Sequence, residues 1–308
     1  TQGEIVPLFE KNISEKVKSK YSIAVNSATS ALHLSCLALG VSQGDVVWTS
    51  PISFVASSNC ALYCGAEIDF VDIDPRTGLI NIAKLKSKLE IAYQNDNLPK
   101  VLIPVHLSGA SCDMEEINKL SKKYGFLVIE DASHAIGGYF KSRPVGCCDY
   151  SSITVFSFHP VKIITSGEGG VATTNNIELA ERLRNLRSHG IVKNPDKFQM
   201  KFEGSWYYEQ QFLGYNYRLT DIQAALGLSQ LKRLEKIVNE RNDQLLYYKK
   251  IFKSLPVEFL KIPDNVYSSV HLAILLLPNY LTQKYFEIFE GMRTNGIGVQ
   301  LHYRPIYK

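Results

Sequence analysis

The sequence predicts an α/β protein in which a mainly parallel sheet with helices on both faces forms a large domain, followed by a smaller C-terminal α+β domain. Three observations carry this. Of 308 residues, 45% are hydrophobic and 21% charged, the balance of a packed globular chain. Strand-like and helix-like stretches alternate along most of the chain. Two apolar strands end in polar residues, which is where open parallel sheets bind ligands.

In order, residues 27–39 are amphipathic behind a run of hydroxyl side chains and read as a helix. Residues 45–49 read as a strand and 53–64 as a helix. Strands over 67–71, 100–106 and 126–130 alternate with helices over 82–90 and 114–124. Short strands follow at 153–158 and 170–174. A helical run over 221–248 leads into the C-terminal domain, whose strands include 269–277, so the chain divides into 1–233 and 234–308.

Lys and Arg total 34 against 30 Asp and Glu, a net +4 that is too dispersed for a nucleic-acid binder but compatible with a local pocket for an anion. No apolar run reaches membrane-spanning length, and the start at Thr1 shows neither a basic nor an apolar leader, so a soluble, cytoplasmic chain is expected. The 20 Gly and 12 Pro follow no repeat. The six cysteines lack paired metal-ligand spacing and read as buried or incidental thiols, and no metal is expected.

The first chemical strand end is Ile129-Glu130-Asp131-Ala132-Ser133-His134, and the second is Phe156-Ser157-Phe158-His159-Pro160-Val161-Lys162 before Gly167-Glu168-Gly169-Gly170. Singly, each residue has a plain structural alternative: Asp131 as a helix cap, His134 as a core histidine, Lys162 as a solvated loop charge. The helix start at Asn26-Ser27-Ala28-Thr29-Ser30 adds backbone N–H groups suited to a phosphate. A phosphate, an acid for a protonated ring nitrogen and a lysine for an aldehyde together describe pyridoxal phosphate.

These segments, with Ser50-Pro51-Ile52-Ser53-Phe54-Val55-Ala56, Arg187-Ser188-His189-Gly190 and Gly214-Tyr215-Asn216-Tyr217-Arg218-Leu219-Thr220-Asp221, resemble the DegT/DnrJ/EryC1/StrS sugar aminotransferases over nearly the whole chain. The resemblance implies the aspartate-aminotransferase-like fold type I of pyridoxal-phosphate enzymes. Pro104-Val105-His106, Ser111-Cys112-Asp113-Met114 and His302-Tyr303-Arg304-Pro305-Ile306-Tyr307 are most similar to the pseudaminic acid branch, which aminates C4 of a UDP-linked 4-keto-6-deoxy-N-acetylhexosamine. Implied by the same likeness, Lys162 bonds the cofactor and then moves the proton, Asp131 faces the pyridine nitrogen, and His134 and Phe54 lie against the two ring faces. Ala28, Thr29 and Ser157 hold the phosphate, and Asn216 reaches the cofactor of the neighbouring subunit in a homodimer with shared sites. His302 and Tyr303 are candidate substrate contacts. L-glutamate and the UDP-sugar are the implied substrates, with the pyridoxamine form between the half-reactions.

Against the family pattern, the small domain reads as incomplete at Lys308. The choice of C4 over C3 and of UDP over dTDP or GDP rests on the resemblance, so another nucleotide-linked keto sugar is the alternative substrate. A non-catalytic regulatory module is the alternative class. A dehydratase relative carries histidine where Lys162 stands, and no strand-linked G-x-G-x-x-G supports a nicotinamide enzyme.

Overall fold

A computed structural model describes residues 3–308; Thr1 and Gln2, at the uncharged start, lie outside the described residues. Helix α1 (Ile5–Val17) precedes β1 (Tyr21–Val25), α2 (Ala28–Ala38), β2 (Val46–Thr49), α3 (Ala56–Leu62) and β3 (Glu67–Phe70). Then come α4 (Ile82–Gln94), β4 (Val101–Ile103), α5 (Met114–Tyr124), β5 (Leu127–Asp131) and a hairpin of β6 (Tyr139–Phe140) with β7 (Arg143–Pro144). β8 (Ile153–Ser157), β9 (Gly170–Thr174) and α6 (Ile177–Arg187) complete the main layer, and a two-strand ribbon joins β10 (Ile191–Val192) to β11 (Glu209–Gln210). The rest comprises α7 (Asp221–Leu231), α8 (Leu234–Ile251), β12 (Glu258–Phe259), β13 (Val266–Tyr267), β14 (Leu275–Leu276) and α9 (Tyr285–Thr294).

The central sheet has the order β1-β9-β8-β5-β4-β2-β3. β8, β5, β4, β2 and β3 run parallel; α3, α4 and α5 make the crossovers into β3, β4 and β5, and the segment with the β6–β7 hairpin makes the one into β8. β9 is antiparallel to both β8 and β1. The β8–β9 connection carries no helix or strand and turns the chain straight back, so β9 pairs antiparallel to its neighbour β8. That connection carries Lys162.

Every residue of β8 and β9 is buried, as a strand covered on both faces requires. One face packs Ile129, Ile153, Val155 and Ala172 against Leu32, Leu34 and Cys36 of α2. The other packs Phe156 and Val171 against Phe9 and Ile13 of α1 and Ala224 of α7. Helix ends follow local chemistry. Asp113 caps α5 by accepting from Glu116 N, acids fill its first turn and lysines its last, and Gly125 closes it in the left-handed region.

Three segments differ from the sequence expectation. The run over 221–248 is two helices, interrupted at Lys232 and Arg233. The expected strand over 269–277 is confined to Leu275–Leu276. Upstream of it, Ser269 Oγ donates to His134 O at 2.8 Å, and Val270 N donates to Ser268 Oγ at 3.0 Å with Val270 at φ +48°. Such side-chain bonds compete with a strand ladder. α1, β1 and α6 were not anticipated, although Val6, Phe9, Ile13 and Val17 mark a helical stripe whose side chains are all buried.

Candidate active site

Beyond the carboxyl ends of β5 and β8 lies a cleft of about 340 Å³. Its wall combines the start of α2, the turn after β5, the β8–β9 connection and the C-terminal segment at His302 and Tyr303. Asp131 ends β5, and strand alternation turns its carboxylate to the face opposite Glu130. Glu130 is engaged elsewhere, with His106 Nε2 at 2.7 Å, Ser151 Oγ at 2.5 Å and Thr154 Oγ1 at 3.0 Å. Asp131 is held in place by three donors. Ser57 Oγ donates to Oδ2 at 2.6 Å, while Ser133 donates to Oδ1 through Oγ at 2.6 Å and through N at 3.1 Å. Ser57 Oγ is itself 2.9 Å from the Ser53 hydroxyl, four residues earlier in the bend that leads into α3.

Lys162 sits in a turn after β8, its N–H bonded to His159 O at 3.0 Å. Desolvation pulls its ammonium below the usual lysine range, and the carboxylate of Asp131 opposes this. A lysine so lowered is a better nucleophile and base than a surface lysine.

His134 is neutral. Burial pushes it well below the ordinary imidazole value, and the charges of Lys162, His271 and His302 add to that. Ser108 N donates to Nδ1 at 3.3 Å, which leaves the ring proton on Nε2, 3.2 Å from Tyr303 Oη. Burial, with Asp131 adding to it, pushes Tyr303 up to about 12, so its hydroxyl keeps its proton. Phe54 stands at the rim, with its ring centroid 6.5 Å from that of Tyr303.

At the other end, Ser27 caps α2 by accepting from Ser30 N at 3.1 Å, which leaves the first-turn N–H groups of Ala28 and Thr29 facing the cleft. The Ser157 hydroxyl lies beside them. β9 passes this helix start closely: a Cβ at Gly170 would stand 2.5 Å from Ala28 N and Ser27 C. The Gly167-Glu168-Gly169-Gly170 turn uses Gly167 at φ +82°, which suits glycine.

The cleft therefore collects Ala28, Thr29, Phe54, Asp131, His134, Ser157, Lys162, His302 and Tyr303. Asn216 does not line it; it is exposed, in an isolated bridge with Ser188, and its expected role concerns a second subunit. Arg187, from the Arg187-Ser188-His189-Gly190 motif, is paired with Glu10 at 2.6 Å inside the protein. Sequence reading missed Ser53, Ser57 and Ser108. The i, i+4 spacing of Ser53 and Ser57 was the available signal, but a hydroxyl pair means little until β5 is known to end beside α3. His271 was also missed; its ring centroid is 4.4 Å from that of His134 and its buried Nδ1 has no partner.

The residues fit pyridoxal phosphate on three structural counts. Unpaired first-turn N–H groups meet a strand that only glycine allows so close, which makes a phosphate cradle. A buried carboxylate is already oriented by its own donors, and a desolvated lysine shares the cavity. Among the described residues, no group of His, Cys, Asp and Glu is arranged to hold a metal ion, and no helix is long and apolar enough to cross a membrane.

Comparison with known proteins agrees with this geometry. The model of the DegT/DnrJ/EryC1/StrS aminotransferase family matches residues 1–308. The chain is 42% identical over 310 residues to the UDP-4-amino-4,6-dideoxy-N-acetyl-beta-L-altrosamine transaminase of Campylobacter jejuni, a match spanning 100% of this chain and 78% of that relative. It is 38% identical to the spore coat polysaccharide biosynthesis protein SpsC of Bacillus subtilis, over 100% of this chain and 77% of that protein. Among solved structures, Helicobacter pylori PseC, an aminotransferase involved in the biosynthesis of pseudoaminic acid, superposes with a TM-score of 0.91 at 34% identity, covering 100% of this chain and 79% of PseC. The sugar aminotransferase Spr1654 of Streptococcus pneumoniae in its PMP form gives 0.88 at 28% identity, covering 99% and 80%.

Proposed function

This chain belongs to the DegT/DnrJ/EryC1/StrS aminotransferase family and is a pyridoxal-phosphate-dependent sugar aminotransferase of fold type I; on that premise we propose that it transfers the amino group of L-glutamate to the C4 ketone of a UDP-linked 4-keto-6-deoxy-N-acetylhexosamine. The observation that carries the reading is the convergence of Lys162, Asp131 and the α2 start on one cleft. The transaminase and PseC likenesses support the choice of sugar.

Pyridoxal phosphate, when bound, supplies an electron sink and a carrier for the amino nitrogen. Ala28 and Thr29 bind its phosphate through N–H, and Thr29 and Ser157 through their hydroxyls. Asp131 holds a proton at the pyridine nitrogen, and Ser57 and Ser133 keep that carboxylate aimed. Lys162 Nζ takes a proton from the donor's α-carbon and, in the second half, delivers one to sugar C4. His134 and Phe54, which line the same cleft, would flank the ring, and the Tyr303 hydroxyl, braced by His134 Nε2, would offer its proton to substrate with His302 beside it.

The assembly belongs to the same reading. We place the enzyme in the cytoplasm as a homodimer, with Asn216 reaching the partner's cofactor. Six unpaired thiols suit a reducing compartment. The segment before Asn216 exposes Met200, Phe202, Trp206, Tyr208 and Leu213, an apolar surface that a second copy would cover. The division at residue 233 is proposed on the break between α7 and α8.

The test is transfer of isotope-labelled nitrogen. With labelled L-glutamate and the UDP-4-keto sugar, mass spectrometry should find label in the sugar with wild type and none with Lys162→Ala. Label transfer by Lys162→Ala would overturn the role of that lysine, and no transfer by wild type would remove the substrate assignment.

A further inference from the structure

Short polar side chains in a helix commonly donate to a carbonyl three or four residues earlier. Ser35 on α2 does so to Ala31 O at 2.6 Å, and Ser58 on α3 does so to Val55 O at 2.9 Å. The thiols of Cys60, and of Cys64 just past the end of α3, follow the same habit toward Ser57 O at 3.5 Å and Cys60 O at 3.3 Å. Ser57, in the same run, is the exception. Its hydroxyl leaves the helix backbone and reaches Asp131 Oδ2 at 2.6 Å, across the gap between α3 and the end of β5. The Ser53 hydroxyl stands 2.9 Å behind it, and both serines are buried.

The hydrogens leave this chain one direction. A carboxylate only accepts, and a hydroxyl has a single hydrogen to give. The Ser57 hydrogen is therefore spent on Asp131, and the contact between the two serines must be made by the Ser53 hydrogen. Ser53 lies on the wall of the cleft and has only lone pairs left for any further partner. In a run of hydrogen bonds each donor polarises the next, so donation by Ser53 strengthens the bond from Ser57 to the carboxylate. Without it, the Ser57 oxygen is left short of a partner in a dry place, and the carbonyl four residues earlier competes for its hydrogen.

On the reading above that Asp131 meets the ring nitrogen of the cofactor, we propose that Ser53 is a positioning residue for the transamination: its hydroxyl, donating to Ser57 Oγ, keeps the Ser57 hydrogen on Asp131 and off the helix backbone, and so fixes the carboxylate that holds the cofactor ring. Ser53 acts through Ser57 alone, so its effect exists only where Ser57 has a hydroxyl to be held. The property that matters is a hydroxyl able to donate at position 53. Threonine supplies it; alanine does not, and cysteine is a poor donor.

The test is a double-mutant cycle on the cofactor-loaded protein, with the affinity for pyridoxal phosphate read from the visible band retained on dilution, so it does not depend on turnover or on the sugar assigned above. Ser53→Ala should weaken retention about threefold to tenfold, Ser53→Thr should stay within about twofold of wild type, and Ser53→Ala should add less than about twofold in a Ser57→Ala background. Unchanged retention in Ser53→Ala overturns the proposal, as does an equal loss with and without the Ser57 hydroxyl. A merely structural Ser53 would lower the melting temperature of Ser53→Ala and leave retention in place. Asp131→Asn is the reference: retention lost there and kept in Ser53→Ala removes Ser53 alone, whereas wild-type retention by Asp131→Asn removes the Asp131 role. Ser53→Cys carries the same expectation as the alanine variant should that variant not fold.

Discussion

Asp131 shows how much of a single residue's role lies in its supports. A carboxylate at a strand end can cap, bridge or bind; here Ser57 donates once to Oδ2 and Ser133 twice to Oδ1, and together they set its direction. Ser57→Ala leaves Oδ2 short of a donor in a buried place, and the account predicts a drop in kcat of about tenfold with cofactor still bound. Half-reaction kinetics check this, and unchanged kcat would make Ser57 mere packing. His271 makes a prediction about stability. Burial, with the Lys162, Arg241 and His302 charges adding to it, holds it down to about 3. Between that value and the ordinary 6.5 the unfolded chain takes up a proton that the folded chain refuses. Stability is therefore full above about pH 6.5 and falls as pH drops below it. Denaturant midpoints measured between pH 7.5 and 5 should fall, and fall less in His271→Leu.

At the scale of elements, the sheet places the chemistry by turning one connection. The parallel strands β5 and β8 deliver Asp131 and Ser157 to one edge, and the helix-free return into β9 hangs Lys162 over it. β9 then has to pass the α2 start, which is the reason for Gly170. Gly170→Ala puts a methyl 2.5 Å from Ala28 N. The account predicts destabilisation of about 1–3 kcal/mol together with weaker retention of phosphate-bearing cofactor. Thermal melts with and without pyridoxal phosphate measure both; equal ligand-induced shifts in mutant and wild type would separate Gly170 from the cradle. Much of this layer was legible in the sequence, because apolar strands and amphipathic helices of the alternating part carry their own periodicity. α2, α5, β8 and β9 needed no outside information. The segment at 269–277 did not fold as its apolar run suggested, because Ser268 and Ser269 bond to backbone and join the turn under His134. Composition registers the apolar run and is blind to that competition.

For the whole molecule, the site residues that could be read were those lying in short motifs beside strand ends. The ones that could not be read come from far away in sequence: Ser57 meets Asp131 across |i−j| = 74, and Tyr303 meets His134 across 169. Such pairings follow from topology, and a spacing rule along one chain does not reach them.

The central claim is that this one cleft runs both halves of a transamination. Absorbance of the cofactor-loaded protein, followed first on adding L-glutamate and then on adding the UDP-4-keto-6-deoxy-N-acetylhexosamine, tests it directly. The account predicts that the visible band is lost with glutamate and restored by the keto sugar, and that Lys162→Ala does not cycle. A wild-type protein that binds no pyridoxal phosphate, or whose band is lost to glutamate and never returns with that sugar, would contradict it.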